Sequence, residues 1–147
     1  MAHSKIEKDW IYQNYHCIVK FTPLGHRCGY VGLPKGCLFV GDEPEDIPVD
    51  CHGGITYAHE RLRDDGEDYI EDPNVAWWIG FDCSHYGDAP DYGLVGEYFG
   101  GDEEVLKSTA LMMMYNRNPE GSEIRSLEYC VQECENMVNQ LILLEAN

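Results

Sequence analysis

The sequence predicts a single α+β domain over residues 1–147, with a mainly antiparallel sheet of about four strands and a long C-terminal helix packed on one face. Two observations predict it. Short β-branched and aromatic runs punctuated by Pro and Gly fill the first two thirds of the chain, and the last third switches to a helical period. A length of 147 residues suits one hydrophobic core and leaves no room for a second.

Taken in order, Tyr15 to Phe21 (YHCIVKF) and Cys28 to Leu33 (CGYVGL) flank the turn signal Thr22-Pro23-Leu24-Gly25 and read as a β-hairpin. Pro34-Lys35-Gly36 stops the second strand, and residues 41–50, with two prolines and five acids, form a solvated loop. A third strand is expected at Gly54 to Ala58, then an acidic connection that ends at Asp72-Pro73-Asn74. Val75 to Phe81 (VAWWIGF) is apolar throughout, as a central strand covered on both faces requires. Strand alternation sends Trp77 and Trp78 to opposite faces, one under the long helix and the other free for a pocket or a partner. A helix from about Asp102 to Tyr115 has acids in its first turn, where the helix dipole favours them, and a turn over 116–121 follows. Leu127, Cys130, Val131, Cys134, Met137, Val138 and Leu141 then lie on one face of the last helix, with Ser122 or Ser126 as its N-cap.

Ten Lys and Arg against 27 Asp and Glu leave a formal charge of −17, which excludes the positive face that direct nucleic-acid binding needs. Seven cysteines, an odd number without a CxxC pair and with no apolar leader ahead of them, read as reduced thiols of a cytoplasmic protein. No apolar run approaches the roughly 20 residues of a membrane span. An aromatic strand with one face uncovered would suit a homo-oligomer.

Three blocks combine glycines with polar side chains that a plain core avoids: CGYVGLPKGC (28–37), HGGITYAHE (52–60) and GFDCSHYGD (80–88). With the C-terminal helix they cover about half the chain, and in order and spacing they resemble a family of small tailed-phage and prophage proteins. That family often has His-Pro where this chain has Cys37-Leu38. The resemblance implies an infected host cell as the setting.

Three functional readings follow. The first is a binding protein whose glycine-rich pocket holds a small anionic, nucleotide-like ligand. Gly53 and Gly54 would offer backbone amides, Arg27 and Lys35 positive charge, Tyr57 and Trp78 a stacking surface, and His52, Asp82 and His85 polar contacts. The phage resemblance extends this to sequestering a nucleotide-derived signal of host defence. The second is a small metal-dependent hydrolase in which His52, Asp82, His85 and Asp88 hold zinc or a similar ion, although no HExxH or paired CxxC accompanies them. In the bland alternative, Asp82 and His85 merely tie down the turn after the central strand. The third is an acidic inhibitor of a host nucleic-acid enzyme, with carboxylates at 42–50, 64–72 and 102–104 aligned on one face.

Overall fold

The computed structural model describes residues 3–115 and 118–146. Five antiparallel strands, β1 (Lys5–Tyr12), β2 (Tyr15–Phe21), β3 (Arg27–Pro34), β4 (Tyr57–His59) and β5 (Val75–Asp82), form one sheet in the order β1-β2-β3-β5-β4. Three helices follow, α1 (Tyr92–Phe99), α2 (Glu103–Tyr115) and α3 (Leu127–Glu145). The α+β class and the C-terminal helix are as the sequence predicts. The sheet has one strand more, because β1 extends it beyond the predicted hairpin.

β1 is a partly exposed edge strand that carries four charged residues, Lys5, Glu7, Lys8 and Asp9, and a register shift between Ile6 and Lys8. It joins β2 through Gln13 and Asn14, both at positive φ (50° and 69°), the backbone of a tight two-residue hairpin turn. The strand expected from Gly54 begins only at Tyr57, because the chain just before it is tied to α3, with the Asp50 and His52 amides donating to Gln140 and Glu133, and returns to the sheet at Thr56, whose amide donates to the Gly80 carbonyl. The β2–β3 hairpin and the helices at 103–115 and 127–145 lie where the sequence places them, while α1 arises in a glycine-bearing stretch started by Asp91, whose carboxylate caps it by accepting from the Leu94 amide. Part of the expected turn at 116–121 falls outside the described residues.

Alternation along the strands gives the sheet two different faces. Cys17, Val19, Val31, Leu33, Ile79 and Phe81 meet Cys130, Cys134, Met137, Val138 and Leu141 of α3 in the main core. α3 comes this close because β3 carries Gly29 beneath it: a Cβ there would lie 2.5 Å from Phe81 Cζ and 2.8 Å from Cys134 Sγ. Ser126 caps α3, its hydroxyl accepting from the Tyr129 amide. Trp77 borders this core and donates to the Asp42 carbonyl. Trp78 does point the other way, but it is buried with Ile18 under Leu62, so it offers no free stacking surface.

The loop over 59–74 thus covers the face expected to be open for oligomerisation. Exposed apolar side chains gather instead on α2, at Leu106, Leu111, Met113 and Tyr115. All seven cysteines are free thiols. Among the described residues no helix is long and apolar enough to cross a membrane.

Candidate metal centre

The end of β5 and the loops beside it collect the polar residues of two of the three glycine-bearing blocks. Asp82 closes β5 and turns the chain, its Oδ1 accepting from the amide and hydroxyl of Ser84 and its Oδ2 from the Thr56 hydroxyl. The turn returns His85 towards the sheet. It also places Asp88, whose carboxylate is 1% exposed, against the His85 amide at 3.0 Å. A one-residue bridge between Asp88 and Glu123 clamps this segment to the approach to α3.

His52 enters from the loop that runs along α3, its amide donating to Glu133 at 2.7 Å. Its ring is held on both sides, with Nδ1 2.8 Å from the Tyr129 hydroxyl and Nε2 2.9 Å from both oxygens of Asp88. Arg125 completes the shell around Asp88 through Nε to Oδ1 at 2.8 Å. Gly53 is required next to His52: its φ is +69°, and a Cβ there would stand 2.6 Å from His85 Nδ1.

His52, His85 and Asp88 each offer one ligand atom, and the three atoms lie within 4.8 Å of one another. His85 Nδ1 is 3.7 Å from Asp88 Oδ2 and 3.5 Å from Asp82 Oδ1. Ligand atoms bonded at about 2.0 Å to a tetrahedral ion sit roughly 3.3 Å apart, so the two His85 separations suit a zinc-sized cation, while His52 Nε2, 2.9 Å from Asp88, would give up that hydrogen bond to join it. His85 Nδ1 is also buried without a hydrogen-bond partner. A ring nitrogen between two carboxylates calls for a positive charge in the space they share, which either the proton of an imidazolium or a bound cation supplies. The Tyr129 hydroxyl on the far nitrogen of His52 and Arg125 on Asp88 are outer contacts of the kind that orient metal ligands.

Burial pushes the Asp88 carboxyl up, but hydrogen bonds from His52, Arg125 and the His85 amide outweigh it and hold the group below the usual carboxylate range. Asp82 follows the same balance, with Thr56 and Ser84 as donors. Both are therefore anionic at neutral pH, the state a cation requires. Cys83 is no nucleophile, because its contact with Cys130, Sγ to Sγ at 3.7 Å, and its burial drive the thiol far above the ordinary range.

The other residues expected at a site lie elsewhere. Arg27 is buried in an ion pair with Glu7, Nε to Oε1 at 2.6 Å, and also donates to the Arg125 carbonyl, which leaves its guanidinium no room for a ligand. Lys35 follows the opposite end of β3, roughly 25 Å away at the rise of an extended strand. Gly54 spends its amide on the Cys51 carbonyl, so the expected amide nest is not free. Tyr57 and Trp78 belong to the sheet face away from α3. The acidic clusters are split too: 42–50 borders the α3 core through Ile47 and Val49, whereas Ile70 of 64–72 packs on the opposite face.

Sequence reasoning missed Arg125, Tyr129 and Glu133. Their recurrence every four residues at the start of the last helix was a legible signal of one polar stripe beside the apolar face. No known protein family, curated protein or solved structure matches the chain.

Proposed function

We propose that His52, His85 and Asp88, with Asp82 beside them, form a zinc-type metal centre that activates water for hydrolysis. The observation that carries the reading is the buried His85 Nδ1, which makes no hydrogen bond, faces two carboxylates at 3.5 and 3.7 Å and is grouped with His52. A bound zinc ion would supply Lewis acidity and bring the pKa of a coordinated water to about 7.

The protein supplies the rest. Tyr129 orients the His52 ring, and Arg125 and the His85 amide keep Asp88 ionised and fixed. The centre is closed towards the interior by Asp88 and open on the side of Asp82 and His85, whose side chains are about a third exposed. Water and substrate approach from that side. The competing first reading, an anion held at the glycines, finds less support because Arg27 and Lys35 do not converge on them.

Native mass spectrometry of the full chain, titrated with zinc, tests the proposal. One zinc per chain is expected, with affinity reduced at least about tenfold in His85→Ala and in His52→Ala while the far-ultraviolet circular dichroism is unchanged. Hydrolysis of model esters and phosphoesters should disappear with a chelator and return with zinc. Zinc retention equal to wild type in both variants would overturn the ligand set.

A further inference from the structure

A second, separate feature lies on the sheet face away from α3, where a cavity of about 320 Å³ opens between β4 and the loop over 59–74. Its walls include Lys20, Tyr30, Tyr57, Arg61, Arg63 and Tyr69. Three of the ten Lys and Arg residues thus meet in one cavity that no Asp or Glu lines, in a chain of charge −17.

Among the described residues these cations are also left without an ion-pair partner. Lys20 is only 6% exposed, yet among the described residues it makes no ion pair, and its ammonium rests 5.3 Å above the Tyr30 ring. Asp64 and Asp65 are near enough for Lys20 to feel their charge but stand beyond ion-pair distance. Arg61 and Arg63 lie over the Tyr69 ring at 5.1 and 4.9 Å, and Arg63 otherwise donates to the Glu67 carbonyl. Burying an ammonium without a counter-ion is unfavourable, and a protein rich in carboxylates has ready means of avoiding it. The retained charge therefore points to an anion that arrives from outside. Tyr57 and Tyr69 beside it, the latter already carrying both guanidiniums, add aromatic surface on which a planar group packs.

We infer that this cavity binds a small phosphorylated ligand with a planar ring, the chemical class of the mononucleotides, with Lys20 and Arg63 on the phosphate and tyrosine faces against the ring. The inference does not depend on the metal centre. Calorimetric titration of the full chain in the presence of EDTA, with AMP, GMP, CMP, UMP, the corresponding nucleosides and inorganic phosphate, tests it. At least one monophosphate is expected to bind, its nucleoside at least about tenfold more weakly, with inorganic phosphate competing. Lys20→Met should lose at least about tenfold in affinity without losing thermal stability, since it removes a buried unpaired charge, and Arg63→Gln should weaken binding similarly. The inference is overturned if no monophosphate binds, if nucleosides bind equally well, or if both variants keep wild-type affinity.

Discussion

At position 27 a guanidinium and a carboxylate are buried together, and each is tolerable only because of the other. Glu7 is 4% exposed at its side chain and receives Arg27 Nε, Arg27 Nη2 and the Tyr98 hydroxyl. Removing Arg27 would leave that carboxylate buried with one neutral donor. Arg27→Met should therefore cost about 3–5 kcal/mol of unfolding free energy, and adding Glu7→Leu should restore most of it. Urea denaturation of the two variants checks this, and a single-variant loss below about 1 kcal/mol would show that the pair is better solvated than its geometry indicates. Composition could suggest only that a rare basic residue meets an anion. That the anion is the chain's own Glu7 depends on the bulge in β1 at Glu7, where the pairing register with β2 shifts between Ile6 and Lys8.

At the scale of elements, the contact between α3 and the sheet depends on both partners. The helix presents a continuous apolar stripe, and β3 offers a glycine where the stripe comes closest. Gly29→Ala forces a methyl group against the Phe81 ring and Cys134, with no flexible chain end to yield on the Phe81 side. Such overpacking should cost about 1–3 kcal/mol, read as a lowered urea midpoint. An unchanged midpoint would mean that α3 can slide outward freely. The stripe was legible in the sequence because seven residues obey one helical period. Which glycine would lie under it was not, because β3 carries two and only Gly29 faces Cys134.

For the molecule as a whole, acid is the direction of weakness. Asp82 and Asp88, where donors outweigh burial, and Glu145, which accepts from the Cys37 thiol and the Leu38 amide, all have carboxyl groups held below their ordinary values. A depressed folded pKa means that the unfolded chain takes up the proton first. The stability from these groups is complete above about pH 5 and is lost as pH falls through about 4 and below. Unfolding midpoints measured in urea between pH 6 and pH 3 should hold and then drop, less steeply in Asp88→Asn. A flat profile to pH 3 would contradict the shifts. Ile47 and Val49 of the acidic loop at 42–50 and Ile70 of the one at 64–72 pack on opposite faces of the sheet.

The sequence by itself determined the α+β class, the β2–β3 hairpin, the central strand with its opposed tryptophans and the apolar face of α3. Each of these is set by local periodicity and turn chemistry within a few residues. It also marked His52, Asp82, His85 and Asp88, since glycines beside polar groups are conspicuous against a core pattern. Only the tertiary structure decided that His52 reaches Asp88 across 36 positions, that Arg27 is consumed by Glu7, and that Lys20 is buried beside the 59–74 loop with no ion pair among the described residues. Those outcomes turn on strand order and on how two long loops lie over the sheet, and distance in space between such residues has no periodic trace in the chain.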